Sequence, residues 1–237
     1  MNNSHFDRIS AVYDEALPAH VVDHYLRKRI AFVLQHCPGG AALDVGCGTG
    51  ALAARLAAVG YDVVGVDPSE GMLEVLRAKA PGIRAVEGSG AALPFDDDSF
   101  DLVLSVATMH HIADPDEVRR TLSEMVRVAR PSGRLLVWDH NPRNPYWGSL
   151  MVRVPQDTGD ERLIGETELL DGLRDAGAEI LLSTQLGLVP DFTPRAVLPA
   201  AAAAERAAER TPLLRRLCAH NVILAAKKQG RRPAQPP

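Results

Sequence analysis

The run Ala41-Ala42-Leu43-Asp44-Val45-Gly46-Cys47-Gly48-Thr49-Gly50 constrains this chain more than any other stretch. Apolar residues leading into glycines at every second position read as a buried strand that ends in a tight turn, with a helix from about Ala51. Glycine lets the backbone bend sharply and puts no side chain between it and a bound molecule. The first amides of the following helix point into the same space, and Asp44 adds a carboxylate at the strand tip. A strand, glycine loop and helix in this order predict a cofactor site on an α/β sheet.

Spacing narrows the cofactor. Dinucleotide folds use G-x-G-x-x-G, in which the third glycine packs helix against strand. Here the pattern is Asp44-x-Gly46-x-Gly48-x-Gly50, with the last glycine one place early and an acid ahead of the first. A second apolar run, Tyr61 to Val66, ends on Asp67. A carboxylate at that tip can accept hydrogen bonds from both hydroxyls of a ribose, which favours a nucleoside ligand.

The ordered set LDVGCGTG, VVGVDPSEGMLEVLRAKAP and LPFDDDSFDLVLSVATMHHIADP resembles the class I S-adenosylmethionine-dependent methyltransferases, of the small-molecule, Methyltransferase-11-like type. The likeness is strong over roughly residues 10 to 140 and loose beyond. It implies a Rossmann-like α/β fold: a seven-stranded, mostly parallel sheet with helices on both faces and an antiparallel last strand. It also implies S-adenosyl-L-methionine as cofactor and S-adenosyl-L-homocysteine as product. Tyr13, in an N-terminal segment that such enzymes fold over the cofactor, becomes a cofactor candidate; a surface tyrosine is the plainer alternative. Asp44, Gly46, Cys47, Gly48 and Gly50 take the methionine and ribose side, and Asp67 with Pro68 the ribose. Met72, Ser89, Gly90 and Ala91 flank the adenine, and Ser105 completes the set. Relatives usually carry an acid at the position of Ser89. A serine accepts less strongly than a charged group, and strand register leaves open whether Glu87 substitutes.

The chain reads in order as an N-terminal covering segment, residues 1–36, interrupted at Pro18 and helical from about Ala19 to Gln35. Helices follow over Ala51–Val59 and Glu70–Ala80, then a short strand, Arg84–Glu87, and a fourth strand from Phe100 to Ser105. Asp114-Pro115 opens an amphipathic helix to Ala129, and Arg130–Gly133 turns into a fifth strand, Arg134–Trp138. Thr167 caps a helix to Ala176, Ala178–Leu186 is the sixth strand, and Asn221–Ala226 the last. Residues 141–165 and 190–217, the latter with helical stretches near 195–210 and 213–217, read as lid and cap elements. One domain is expected over 1–226, with a disordered tail at 227–237.

Ligands bind beyond the carboxyl ends of parallel strands, so Thr108-Met109-His110-His111 after the fourth strand and Asp139-His140-Asn141 after the fifth border the site. A neutral imidazole there can take a proton from an acceptor. His110 and His111 are candidate bases, and His140 a third; adjacent histidines cannot both face the reacting centre. In the resembled family the pair also serves structure or cofactor contact. No local spacing supports a metal set, and the run Asp96-Asp97-Asp98 reads as a solvated loop.

A net charge of −4 gives no basic face for nucleic acid. Cys37, Cys47 and Cys218 lack metal spacing, and no signal peptide or membrane-spanning run is present in the sequence, so a reduced, cytoplasmic protein is expected. The predicted function is methyl transfer to an oxygen, nitrogen or carbon of a small molecule, such as a secondary metabolite. The alternatives are a methyltransferase acting on tRNA or protein, and a non-transferring protein of the same fold. A homodimer is left open.

Overall fold

The computed structural model describes residues 3–147, 151 and 161–229. The strands are β1 (Ala41–Val45), β2 (Asp62–Asp67), β3 (Arg84–Glu87), β4 (Phe100–Val106), β5 (Ala129–His140), β6 (Ala178–Leu186) and β7 (His220–Lys227). They form one sheet in the order β3-β2-β1-β4-β5-β7-β6. Neighbours from β3 through β5 pair in parallel, whereas β7 runs antiparallel to both β5 and β6. This is the Rossmann-like sheet that the resemblance implies. Its order reverses between β1 and β4, the switch point at which open α/β sheets leave a crevice for a ligand.

Successive side chains of a strand point to opposite faces. Leu102 and Leu104 therefore enter one core and Val103 the other; Leu136 and Trp138 alternate likewise with Leu135 and Val137, and Val222 and Leu224 with Ile223 and Ala225. Helices α2 (Ala19–His36), α3 (Ala51–Ala58) and α4 (Glu70–Lys79) cover one face through Leu26, Val33, Leu56 and Leu76. Helices α5 (Pro115–Val128) and α6 (Glu166–Asp175) cover the other through Leu122, Met125, Leu169 and Leu173. Each fully buried aliphatic side chain contributes roughly 1.5–3 kcal/mol, and the two cores hold the strand tips in fixed positions around the crevice.

Local signals set most boundaries. The Asp114 carboxylate accepts the Asp116 N–H at 2.9 Å ahead of Pro115, and Ser69 Oγ accepts the Met72 N–H at 3.2 Å. Three boundaries differ from the sequence reading. Gly165, not Thr167, occupies the cap of α6 without a side-chain bond, and the helix gains Glu166 and Glu168 in its first turn, where the dipole favours acids. The Arg130–Gly133 turn lies within β5, because Ala129 already pairs with Phe100 before a register shift. Upstream of Pro18 the chain is helical after all: α1 (Asn3–Ile9) and a 3-10 turn, Ser10–Glu15, precede it. Tertiary bonds stabilise α1, since the Asp7 carboxylate accepts Ser69 Oγ at 2.6 Å and the Gly71 N–H at 3.0 Å.

A cap is built from α7 (Leu198–Arg210), α8 (Pro212–Arg215) and the segment after β6. Glu205, 1% exposed, ties it to α2: its carboxylate accepts from His24 at 3.0 Å, from Lys28, and from the Leu188 and Val189 N–H groups at 2.6 and 3.1 Å. Residues 148–150 and 152–160 of the predicted lid at 141–165, and residues 230–237 of the predicted tail at 227–237, lie outside the described residues.

Candidate active site

The three loop glycines all have positive φ, and they serve two different ends. A Cβ on Gly46 would stand 2.1 Å from Thr108 Cγ2, and one on Gly50 would stand 2.5 Å from Leu76 Cγ, so these two permit close packing. A Cβ on Gly48 would meet nothing within 4 Å. Gly48 instead presents bare backbone to open space, which is what close approach of a ligand requires. The loop is tied to the tip of β2, where Asp67 accepts the Gly48 N–H at 2.9 Å and the Ser69 N–H at 3.0 Å. A carboxylate has about four acceptor positions, so Asp67 retains capacity for hydroxyl donors.

Beside the loop lies a cavity of about 480 Å³ that spans the switch point. Asp44, Gly46, Cys47 and Gly48 line one end, with Tyr13 from the N-terminal segment. That segment is pinned to the start of α3 by Thr49 Oγ1, which donates to Asp14 at 2.6 Å. Asp44 is 3% exposed; burial, reinforced by the nearby charge of Asp67, pushes its carboxyl up to about 7. Arg29 reaches the same cavity from α2. Its Nε is buried without a hydrogen-bond partner, and among the described residues its guanidinium makes no salt bridge. Burial lowers its pKa, opposed by the fields of Tyr25, Asp191 and Asp44. Asp191, also lining the cavity, is raised by burial to about 6.

The other end is walled by His110, His111, His140, His220 and Trp147. Asp139, fully buried, holds this wall together. Its Oδ2 accepts the Thr108 and Met109 N–H groups at 3.2 and 2.6 Å, and its Oδ1 accepts the His140 N–H at 2.7 Å. His110 Nδ1 lies 2.7 Å from Oδ1. Burial alone would raise the Asp139 carboxyl, but the His110 ring and the bonds from His110 and His140 outweigh it and hold it below the usual value. An ionised carboxylate only accepts, so His110 Nδ1 carries the hydrogen.

Burial drives the other imidazoles neutral: His111 falls to about 4, His220 to about 3, and His140 well below its ordinary value. The rings form a ladder, with centroids 4.0 Å apart for His111 and His110, 3.9 Å for His110 and His140, and 3.6 Å for His140 and Trp147. Donor atoms of His110, Asp139 and His140 lie within 4.8 Å of one another, as those of a metal trio would. The four acceptor positions of Asp139, about the full number a carboxylate has, are taken by N–H groups. Asp139 is a hydrogen-bond hub.

Of the residues singled out from sequence, Tyr13, Asp44, Gly46, Cys47, Gly48, His110, His111 and His140 meet at this cavity. Asp67, Pro68, Met72, Ser89, Gly90, Ala91 and Ser105 are not among those lining it, and Gly50 sits behind the loop against Leu76. Met72 is buried, 2% exposed, while Ser89 Oγ accepts the Ala91 N–H at 3.2 Å within its own turn. Asn141 does not face the cavity: its amide donates to the carbonyls of Arg216 and Cys218 at 3.0 and 2.8 Å. Sequence reasoning missed Arg29, Trp147, Asp191 and His220, and it set Asp139 at the border of the site without giving it a role. Arg29 lies four residues after Tyr25 on α2, a spacing that could have placed it on the inward face.

Residues 43–137 match the sequence model of the family described as a methyltransferase domain, and they carry the glycine loop, Asp67 and the His110 turn. Residues 43–137 form a methyltransferase domain, of the class I, S-adenosylmethionine-dependent kind. An uncharacterised methyltransferase of Mycobacterium tuberculosis is 47% identical over 119 residues, covering 50% of this chain and 47% of that protein. A demethylmenaquinone methyltransferase of Renibacterium salmoninarum is 34% identical over 140 residues, covering 55% of this chain and 58% of its own. The chain thus spans about half the length of the curated relatives it matches. Among solved structures, an S-adenosylmethionine-dependent methyltransferase of Thermotoga maritima superposes with a TM-score of 0.70 at 22% identity, over 96% of this chain and 99% of that one. Magnesium protoporphyrin IX methyltransferase of Synechocystis, solved with S-adenosylhomocysteine, gives 0.61 at 19%, over 86% and 83%. These two likenesses are of fold.

Proposed function

We propose that the protein transfers a methyl group from S-adenosylmethionine to an oxygen, nitrogen or carbon of a small-molecule acceptor, with residues 1–226 acting as one domain. The observation that carries this reading is the pairing, in one cavity, of a buried guanidinium that makes no salt bridge among the described residues with a buried carboxyl, next to the bare backbone of Gly48. A buried charge without a partner is costly, so Arg29 and Asp44 fit the carboxylate and ammonium of an amino-acid moiety. Asp67 would hold the ribose hydroxyls, and Met72, Ser89, Gly90 and Ala91 the adenine. When bound, the cofactor supplies a methyl group activated by the positive charge on sulfur. The protein then has to align the acceptor, exclude water and in some cases accept a proton.

The acceptor would enter between α2, the His110 turn and the cap. The name of the Renibacterium relative supports a small molecule, as does the acidic net charge of −4. Calorimetric titration with S-adenosylhomocysteine and with NADH tests the cofactor assignment. The first alone should bind, and Arg29→Gln should weaken it about 10- to 100-fold, the value of a charge-assisted hydrogen bond. Failure of the folded wild-type protein to bind S-adenosylhomocysteine defeats the proposal.

A further inference from the structure

We propose that the strap formed by residues 210–217, at the end of the cap, docks the protein on an anionic lipid bilayer. Leu213, Leu214 and Leu217 enter the acyl-chain boundary, and Arg210 and Arg216 sit at the headgroup phosphates. The proposal concerns a surface outside the cavity and stands apart from the methyltransferase reading.

The strap is held so that its side chains face outward. Two buried asparagines that follow β5 grip its backbone from inside. The Asn141 amide donates to the carbonyls of Arg216 and Cys218 at 3.0 and 2.8 Å, and the Asn144 amide donates to that of Leu217 at 2.7 Å. The Leu217 and Cys218 N–H groups donate to the carbonyls of Leu214 and Arg215, both at 2.9 Å, and close the turn. With its backbone bonded toward the protein, the strap leaves Leu213 74% exposed, Leu214 51% and Leu217 46%. Apolar side chains clustered on a surface within a polar rim mark a site of contact.

Charge identifies what the strap contacts. The whole chain carries −4, yet residues 188–217 hold five arginines against three acids. All three acids turn inward: Asp191 lines the cavity, and Glu205 and Glu209 bind Lys28 of α2. Arg195, Arg206, Arg210 and Arg216 are exposed, and none of them makes a salt bridge among the described residues. An RNA would engage the arginines and leave the leucines in water. A second copy of the strap would cover the leucines but set arginine against arginine, and like charges repel. The three leucines together expose less than two leucines' worth of surface, well short of the roughly 800 Å² a side that a stable protein interface buries. An anionic bilayer takes both groups at once, because it accepts apolar side chains below its headgroups and attracts cations to them. The strap also leads directly into the cavity wall: the Ala219 carbonyl accepts the Trp147 Nε1–H at 2.6 Å, and His220 lines the cavity.

The test floats the full chain with vesicles of equal parts phosphatidylglycerol and phosphatidylcholine, and with vesicles of phosphatidylcholine alone. The protein should bind the first about tenfold or more tightly than the second, and lose most of that preference in high salt. Leu213→Ser combined with Leu214→Ser should weaken binding about tenfold, as loss of buried apolar area requires. Arg210→Gln combined with Arg216→Gln should weaken it about 30-fold, at roughly fivefold per arginine. All four side chains are exposed, so both variants should keep the wild-type melting temperature. Absence of wild-type binding to the anionic vesicles overturns the proposal. Binding that the leucine variant leaves unchanged overturns it too, since that is attraction to any polyanion, and so does equal retention on an RNA oligonucleotide. Self-association in the ultracentrifuge that the leucine variant abolishes, with no vesicle binding, would assign the strap to a second copy and likewise refute the lipid contact. None of these readouts depends on methyl transfer, so failure here leaves the cofactor assignment standing.

Discussion

At pH 6 the methyltransferase domain should bind S-adenosylhomocysteine about tenfold more weakly than at pH 8, a difference of ~1.4 kcal/mol. The cause is Asp44, whose carboxyl is raised by burial and by Asp67 to about 7. The ligand's ammonium favours the ionised acid, so binding pulls that pKa down and releases a proton. With a free-state value of about 7, the apparent dissociation constant scales as one plus the ratio of protonated to ionised Asp44. This gives factors of roughly 11 at pH 6, 2 at pH 7 and 1.1 at pH 8. Titration calorimetry at the three pH values, each in two buffers of different ionisation enthalpy, reads both affinity and proton release; about half a proton should leave at pH 7. Asp44→Asn should bind weakly at every pH and lose the slope. The same shift acts on the unliganded fold with a definite sign. Between the unfolded value of 3.8 and the folded value of about 7, the folded state binds more protons, so stability falls as pH rises. Asp44→Asn should therefore raise the melting temperature of the unliganded protein at pH 8, by an amount worth a few kcal/mol. A flat affinity between pH 6 and 8 without proton release, or an Asp44→Asn variant that keeps the slope, would refute the reasoning.

The loop glycines offer a contrast between packing and ligand approach. Gly46→Ala drives a Cβ into Thr108 and should lower the unfolding midpoint in urea markedly; Gly48→Ala meets no protein atom, so it should cost only the ~1–2 kcal/mol of a left-handed residue while impairing cofactor binding. Glu205→Ala leaves the Leu188 and Val189 N–H groups without their acceptor and Lys28 with Glu209 as its remaining partner, and should destabilise by about 3–5 kcal/mol in chemical denaturation. Burial would raise the Glu205 carboxyl, yet Lys28 and the two N–H groups hold it below 4.5; its contribution is present above the unfolded value and should disappear as pH falls through the folded one. A cap that loosens no more in acid for wild type than for Glu205→Gln, followed by hydrogen exchange at Leu188 and Val189, would contradict that assignment.

The cofactor end was readable because local sequence determines it. A strand tip, a glycine loop and a helix start are contiguous, so Asp44 through Gly50 could be placed without knowing any partner. His110 and His140 were readable for a related reason: both follow strands whose carboxyl ends define the crevice. What escaped is what tertiary register creates. His220 lies 80 residues after His140, yet the antiparallel pairing sets the two opposite each other. Arg29 looks like one more cation on an amphipathic helix, and only the packing of α2 over the sheet turns it inward. Asp139 reads as half of an Asp-His dipeptide, and its function as a hub appears only when the backbone of the His110 turn folds against it. The cap of α6 and the extent of β5 were misjudged because ladder pairing and the Ser183 bond to Glu166, at 2.6 Å, outweigh local propensity.

The position of β7 has a consequence for how the protein matures. It comes after every other strand among the described residues, yet it lies between β5 and β6. While the chain is being made, β6 has no neighbour to pair with, and the His220 face of the cavity does not exist. A ribosome that stalls before this strand therefore releases a chain with an open sheet edge and an unfinished pocket. Such a chain exposes an unpaired strand edge, the kind of surface that invites aggregation, so the emergence of β7 and the acquisition of the site become a single event.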